Sequence, residues 1–362
     1  VRNYMIQNYN IHQITDLGDT KLFTASVLPC IIIFSLGHTR EKEKVGFTSV
    51  YQEFSEVSNV PKISNLFDAI YEEGTYMVPD GRVYRYQQGS MQSVELDNTW
   101  AIASEENKNW IEQVQSRTWM TLADIGKIRV GIKTTADNVF IGDDWLGEKS
   151  ELELLQPLIT HRNAGQIKAN RQDRWKVLYT HTVVDGKKVA YNIDNYPKSK
   201  AYLLTHFEQL NARNYVKKAN RKWYEIWVPQ NPEAWKHRKI VFRDISEKPQ
   251  FWLDDTGAIV NGDCYWIDIN QDIVDDVVYL ALAVANSSFI EKFYDIKFNN
   301  KLYSGKRRYQ TQYVEQFPIP YYGSNEAKEA IKLVKKIIAE DTERVSLDDK
   351  AKLDSLVEQM FS

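Results

Sequence analysis

The sequence from Thr121 onward constrains the fold most, because short strand-like runs alternate with turns and few helices interrupt them. Helical periodicity is predicted over residues 197–210, where Pro197 suits a first turn, and over residues 272–296 with a break near 286–288. Two amphipathic helices close the chain, and Ser346 with Asp349 has capping-box spacing before the last one. The strand-like runs are LADIGKIRVGI, VFIG, WKVLY, KIVFRDI, FWL and CYWIDI. This pattern favours an α+β domain followed by a helical hairpin.

The first 120 residues are organised differently. Residues 1–35 predict a helix, a strand, a turn and a second, buried strand in the β-branched run CIIIF. The charge run REKEK at 40–44 is typical of a domain end, and the polar stretch to Pro61 of a linker. Residues 65–73 predict a short helix ended by Gly74, Asp80-Gly81 predicts a hairpin turn, and Ser104 can cap a helix to Arg117. We therefore divide the chain into residues 1–40, 41–120, 121–323 and 324–362.

Length and composition exclude several classes of protein. A chain of 362 residues with 43% hydrophobic and 26% charged residues predicts two or three globular units rather than a disordered or fibrous protein. The longest apolar run is too short to cross a bilayer, and the first residues do not resemble a signal peptide. Val1 stands where a Met would begin a gene product, so we expect an excised fragment. Two cysteines cannot form a disulfide framework, which indicates a reducing cytoplasm.

Charge is distributed unevenly along the chain. The formal net charge is only −3, but residues 211–250 carry +6 and residues 296–314 carry +5 without any acid. A segregated basic face is expected where a protein contacts phosphate groups. The residues that we assign to phosphates on this basis are Lys217, Lys218, Arg221, Lys222, Lys301, Lys306, Arg307 and Arg308, and the first four are expected to be flexible. Aromatic side chains lie among these cations and could stack on bases, although we expect about two thirds of them to form the core.

Common catalytic and metal-binding motifs are absent from the sequence. The six histidines never fall at metal-ligand spacing, and we interpret each as structural. Asp80 followed by Glu106-Asn107-Lys108 formally matches a nuclease pattern, but a turn explains Asp80 and a first helical turn explains Glu106. The chain alone therefore predicts no catalytic site and no metal site.

The segment GIKTTADNVFI, residues 131–141, combines a cation, two hydroxyls and an amide between two apolar strand ends. Lys133, Thr134, Thr135 and Asn138 could form hydrogen bonds with base edges or phosphates. A plain β-turn would explain about half of this pattern, so both interpretations stay open.

These stretches, taken in order, resemble the C-terminal half of TaqI-like adenine-specific DNA methyltransferases, a group that includes type II restriction-modification enzymes. Residues 1–35 resemble the last helix and final strands of the methyltransferase domain, and GIKTTADNVFI resembles the entry to the target-recognition domain. Further motifs follow in the family's order to about residue 320: LQPLITHRNAGQIK, NYPKSKAYLLTHFEQLNAR, KWYEIW, KIVFRDISEKPQFWLDDTG, LALAVANSSFIEKFY and YVEQFPIP. The THRN stretch adds Arg162 and Asn163 to the expected DNA contacts.

The resemblance implies a mixed α/β and α+β fold: a remnant of a Rossmann-like methyltransferase sheet, a target-recognition domain and a helical hairpin. It implies double-stranded DNA as the partner, together with an N-terminal methyltransferase domain that would bind S-adenosylmethionine and methylate adenine at N6. The family's Asn/Asp-Pro-Pro-Tyr/Phe motif and its cofactor loop do not occur in this sequence, so this chain alone should bind no S-adenosylmethionine and transfer no methyl group. Similar proteins usually have Gly where this sequence has Thr135.

Two other classes remain open. A separate DNA-specificity subunit would share the recognition fold but not the methyltransferase remnant at residues 1–35. A carbohydrate-binding module would explain the Trp and Tyr content but not the segregated basic residues. Binding to phosphates falls steeply with salt and stacking on sugars hardly responds, so salt dependence separates these classes.

Overall fold

The fold comes from a computed structural model that describes residues 2–23, 27–37, 45–54, 59–91, 105–169, 174–298, 305–342 and 344–362. The chain forms two compact units. The first unit comprises Val1–Arg117, Ile245–Lys248 and Ile290–Arg308, and the second comprises Thr118–Asp244, Pro249–Phe289 and Tyr309–Ser362. None of the helices within the described ranges is long and apolar enough to cross a membrane.

The described residues contain both helices and strands. The helices are α1 Arg2–Asn8, α2 Glu105–Arg117, α3 Leu122–Ile125, α4 Asp137–Phe140, α5 Pro197–Thr205, α6 Phe207–Asn211, α7 Asn214–Lys218, α8 Asp275–Ala285, α9 Ser288–Phe298, α10 Thr311–Val314, α11 Asn325–Ala339 and α12 Leu347–Phe361. The strands are β1 Tyr9–Asp16, β2 Cys30–Leu36, β3 Val45–Gln52, β4 Gly74–Met77, β5 Val83–Met91, β6 Thr118–Thr121, β7 Gly126–Val130, β8 Ile141–Gly142, β9 Leu155–Ile159, β10 Lys176–Leu178, β11 His181–Val184, β12 Lys187–Ala190, β13 Lys239–Arg243, β14 Ile245–Ser246, β15 Phe251–Asp254, β16 Ile259–Val260, β17 Cys264–Ile269, β18 Arg307–Arg308 and β19 Pro318–Pro320.

A five-stranded sheet in the order β2-β1-β3-β5-β4 forms most of the first unit. β1 and β3 run parallel, and the other neighbours are antiparallel. Val50, Tyr84 and Tyr86 are buried in its core because they project from central strands. The predicted hairpin at Asp80-Gly81 is confirmed, with β4 and β5 joined by a five-residue loop in which Gly81 has φ +84°.

Three predictions for the first unit are wrong. The run CIIIF is the exposed edge strand β2, because it pairs on one side only, with β1. The stretch predicted as a linker contains β3, a mostly buried central strand. Residues 65–73 form turns rather than a helix: the backbone N–H groups of Asp68, Ile70 and Glu72 each donate to the carbonyl group three residues earlier. The charge run at 40–44 and the cap residue Ser104 lie outside the described residues.

Two four-stranded sheets, in the orders β16-β9-β10-β8 and β15-β13-β17-β7, dominate the second unit. All the predicted strand runs contain a strand, although LADI begins as the short helix α3. The neighbours are antiparallel except for β9 and β16, which run parallel with Ile159 opposite Val260. The carboxyl ends of this parallel pair therefore lie side by side.

The predicted helices of the second unit are present. His206 separates α5 from α6, and the predicted break in the long helix lies between α8 and α9. Asn286 causes that break, because its fully buried amide exchanges hydrogen bonds of 3.0 and 2.8 Å with the backbone N–H and C=O of Phe251. The C-terminal hairpin is α11 and α12, and the Ser346 hydroxyl accepts from the Asp349 N–H as predicted. The four-part division of the chain stays a prediction.

Candidate functional site

The segment that follows β7 is fixed from both sides. Ile132 N–H donates to Val260 C=O at 2.8 Å, and Lys133 exchanges backbone hydrogen bonds of 3.0 and 2.9 Å with Val228. Gly131 lies so close to Asn261 that an added Cβ would stand 2.0 Å from the Asn261 carbonyl oxygen. The backbone at 131–133 is thus fixed by its neighbours. It therefore anchors the following loop, residues 133–138.

The two threonines of this loop have different roles. Thr134 is buried, and its hydroxyl donates to the Asp137 carboxylate while accepting from Ala136 N–H at 3.0 Å. Thr135 is exposed and has φ +60°, a left-handed conformation that a β-branched residue rarely adopts. The turn interpretation therefore holds for Thr134, whose hydroxyl is used within the loop. A Gly at position 135 would adopt this conformation without strain.

Arg213 supports the loop from the protein interior. Its guanidinium is buried, lies 5.4 Å from the Phe140 ring and donates to Thr134 C=O at 2.8 Å. The same group donates to the carbonyl oxygens of Leu210, Trp223 and Glu225. Burial lowers the pKa of Arg213 to about 10, against the opposing charge of Glu225, so the side chain is still protonated at neutral pH.

Two adjoining concavities of about 310 and 680 Å³ lie over this loop. They share the walls formed by Asp137, Asn138, Asn261 and Asp263. The Asn138 amide oxygen accepts a hydrogen bond of 2.9 Å from Gln209. The smaller concavity also contains Thr160, His161, Arg162 and Trp175, and the larger one contains Lys133, Thr134, Thr135 and Gln209. Residues far apart in sequence therefore converge on one polar depression.

The turn after β9 brings further side chains to the smaller concavity. His161 Nδ1 lies 2.5 Å from Asp263 Oδ2, and the Arg162 guanidinium lies 4.8 Å from the Trp175 ring. Asn163, which the sequence placed among DNA contacts, is instead buried, and its amide oxygen accepts from Thr160 N–H at 2.8 Å. Asn163 thus stabilises the turn that carries His161 and Arg162.

Four predicted phosphate-binding residues lie in and after α7. Lys217, Lys218 and Lys222 are exposed, and Lys222 lies over the Tyr224 ring. Arg221 is half-buried, because it donates to Trp227 C=O at 2.6 Å and lies 4.8 Å from that ring. The expectation that this group is flexible is therefore wrong for Arg221.

The basic cluster of the first unit is not free of acids. Arg307 pairs with Asp295 at 2.7 Å and with Glu291 at 3.5 Å, and it donates to Glu247 C=O. The sequence between 296 and 314 contains no acid, but α9 supplies these carboxylates from just before it. Lys306 and Arg308 are exposed, and Lys301 lies outside the described residues.

The cations of residues 211–250, the segment with a charge of +6, also differ in their exposure. Lys239 is fully buried and pairs with Asp254 at 2.8 Å, and Arg238 pairs with Asp275. With Arg213 also buried, these cations stabilise the second unit and are not available to a phosphate. The expectation that this whole segment forms a basic face is therefore wrong.

Sequence reasoning missed several residues of the concavities. His161 was interpreted as structural, and Trp175, Gln209, Asn261 and Asp263 were not considered. His161 lies two residues after β9 and Asn261 directly after β16, so the parallel pairing of these strands brings the two segments together. Asn261 N–H also donates to Ile159 C=O at 2.8 Å. Only this non-local pairing would have revealed the site.

Comparison with known proteins shows what part of the chain is similar to. Residues 182–319, which include much of the second unit, match the model of the TaqI-like C-terminal specificity domain. The match confirms, for these residues, the resemblance drawn from the sequence.

Particular relatives extend the likeness to the rest of the chain. The type II methyltransferase M.BanIII from Aneurinibacillus aneurinilyticus is 37% identical over 93% of this chain and 60% of its own length. The type II methyltransferase M.BstVI from Geobacillus stearothermophilus is 24% identical over 88% of this chain and 54% of its length. The chain thus spans a little over half the length of these relatives.

A solved structure shares the fold. The type IIL restriction-modification enzyme MmeI, solved in complex with DNA, superposes with a TM-score of 0.53 over 98% of this chain and 43% of the MmeI chain. Sequence identity is 11%, so this likeness concerns the fold alone.

Proposed function

We propose that this chain is the DNA-recognition part of a type II restriction-modification methyltransferase that methylates adenine at N6. The observation that carries the proposal is the polar depression formed by Lys133, Asn138, His161, Arg162 and Asp263, in the unit that contains most of the specificity-domain match. Donors and acceptors held on a rigid frame can read base edges at low entropic cost.

The charges of the depression suit bases better than phosphates. Asp137 and Asp263 lie beside Lys133 and Arg162, and carboxylates repel a phosphate backbone but accept hydrogen bonds from base amino groups. Lys217, Lys218 and Lys222 are exposed on another segment of the same unit and are the better candidates for phosphate contacts. We thus assign the recognition of bases to the residues of the depression and the contacts with the phosphate backbone to these lysines.

The proposal places catalysis outside this chain, in an N-terminal methyltransferase domain of the cytoplasmic full-length protein. Residues 1–362 contain neither the catalytic motif nor the cofactor loop of the family. We therefore assign the binding of S-adenosylmethionine to that N-terminal domain. The first unit would complete its Rossmann-like sheet. Supporting features are the parallel pair β1 and β3 and the exposed apolar edge strand β2, where Ile33 is 50% and Leu36 is 86% exposed.

Duplex binding across a range of salt concentrations tests the proposal on the full-length protein. Affinity should fall steeply with salt, and replacing Lys217 and Lys218 by Gln should reduce the slope of log K against log salt by about 2. The matched control is Lys328→Gln with Lys332→Gln, a pair of exposed lysines one turn apart in α11 of the same unit, which should leave the slope unchanged. Binding that does not respond to salt would contradict the proposal, as would methyl transfer to a cytosine.

A further inference from the structure

His161 and Asp263 form an ordered pair inside the smaller concavity. His161 Nδ1 lies 2.5 Å from Asp263 Oδ2, and the same oxygen accepts from the His161 backbone N–H at 3.3 Å. One carboxylate thus fixes both the backbone and the ring of His161. The ring is 46% exposed, so its other edge is accessible.

This pairing determines which ring nitrogen carries the proton. An ionised carboxylate can only accept a hydrogen bond, so Nδ1 must be the donor. In the neutral imidazole, Nε2 is then left with its lone pair and acts as an acceptor. Without Asp263, both tautomers would be populated and Nε2 would donate as readily as accept.

We infer that His161 is a specificity-determining residue that accepts a hydrogen bond from the exocyclic amino group of a base in the major groove. In that groove only adenine N6 and cytosine N4 present such a donor. Asp263 is the positioning residue, because it acts through His161. This inference rests on the proposed function, since it names the base chemistry that the recognition unit reads.

The surrounding residues favour the same chemistry. Asp137 lines the concavity together with Asp263, so two carboxylates stand there against the single guanidinium of Arg162. Arg162 lies over Trp175 and is the neighbouring donor, suited to guanine. The same concavity therefore offers an acceptor and a donor to base edges.

The test uses the full-length protein and a pool of random duplexes, from which bound sequences are selected at pH 8. Competition binding then compares the selected duplex with duplexes that lack one amino group, with purine replacing adenine or pyrimidin-2-one replacing cytosine. At one position the wild-type protein should lose at least tenfold in affinity, whereas His161→Ala should lose less than threefold there. Whether that position holds adenine or cytosine identifies the base.

Further variants distinguish a role of His161 in base recognition from a role in folding. His161→Gln keeps an acceptor near the position of Nε2 and should recover part of the discrimination, and Asp263→Asn should be intermediate. The control is His237→Ala, because His237 is also 46% exposed and pairs with Asp268 at 3.0 Å, but it does not line either concavity. It should discriminate as the wild type does.

Two negative results have different meanings. If the wild-type protein selects no sequence at all, the proposed function fails. If it selects a sequence and a folded His161→Ala variant discriminates at every position as the wild type does, only the role of His161 is overturned.

Discussion

Replacing Arg213 by Met should destabilise the second unit more than any surface substitution. The methionine fills much of the same volume but offers no donor, so four carbonyl oxygens lose the guanidinium. These belong to Leu210, Thr134, Trp223 and Glu225, at distances of 3.0, 2.8, 2.6 and 2.9 Å. Each hydrogen bond to the charged guanidinium contributes ~1 kcal/mol or more, so the loss of all four should lower the free energy of unfolding by about 4 kcal/mol.

Arg213→Lys should be intermediate. An ammonium group has three donors on one atom and cannot reach all the carbonyl groups that bond to three different nitrogens of the guanidinium. We expect a loss of about 2 kcal/mol, because roughly half of the hydrogen bonds can be retained. The comparison with Met separates loss of hydrogen bonds from loss of charge, since Lys keeps the charge.

Urea denaturation followed by tryptophan fluorescence measures both losses, and hydrogen exchange at residues 134–136 reports on the loop directly. Arg238→Met is the matched control. Arg238 donates to Asp275 and to the Tyr279 hydroxyl at a partly exposed site, so its replacement should cost less than about 1 kcal/mol. If Arg213→Met were no more costly than Arg238→Met, the assignment of Arg213 as the support of the loop would be refuted.

Substitutions at three other residues have distinct expected outcomes. Thr135→Gly should raise the free energy of unfolding by up to ~1 kcal/mol, because Gly adopts φ +60° without strain, and a lowered midpoint in urea would contradict this. Partial burial acts to raise the pKa of Glu153, but hydrogen bonds from Ser199 and from Lys198 N–H outweigh it and lower this pKa from 4.5 to about 2. The stability that Glu153 contributes should therefore be complete above pH 4.5 and disappear as the pH falls towards 2, and Glu153→Gln should flatten this part of the melting profile against pH. Asn138→Ala should reduce the preference for the selected duplex by ~1 to 3 kcal/mol and leave non-specific affinity nearly unchanged, whereas unchanged preference with a lower melting temperature would make Asn138 only a turn former.

Local patterns in the sequence predicted the elements of the second unit well. Residues 239–243 and 264–269 alternate or run apolar as strands do, Pro197 begins α5, and Ser346 caps α12. Such signals depend on neighbours in the chain, so they can be read without tertiary structure. The first unit was harder, because β3 is buried on both faces and shows no alternation, whereas β2 is apolar but exposed at a sheet edge.

The candidate site was only half predictable. The segment 131–141 was found because a cation, hydroxyls and an amide stand together between apolar strand ends. His161 and Asp263 are 102 residues apart in sequence and meet only because β9 and β16 pair in parallel. No local pattern encodes that pairing, so a histidine without nearby ligands looked structural.

Charge counting failed for a related reason, and the failure clarifies the site. A sum over residues 211–250 treats every cation as a surface charge, but Arg213 and Lys239 are buried with hydrogen-bonding partners or an opposite charge. A buried cation costs desolvation energy that only such partners offset, and it therefore cannot also meet a phosphate. Within residues 211–250 the exposed cations are Lys217, Lys218, Lys222, Lys236 and Lys248. Phosphate contacts of this segment should thus come from these lysines, and discrimination should depend on the polar depression around Asn138 and His161.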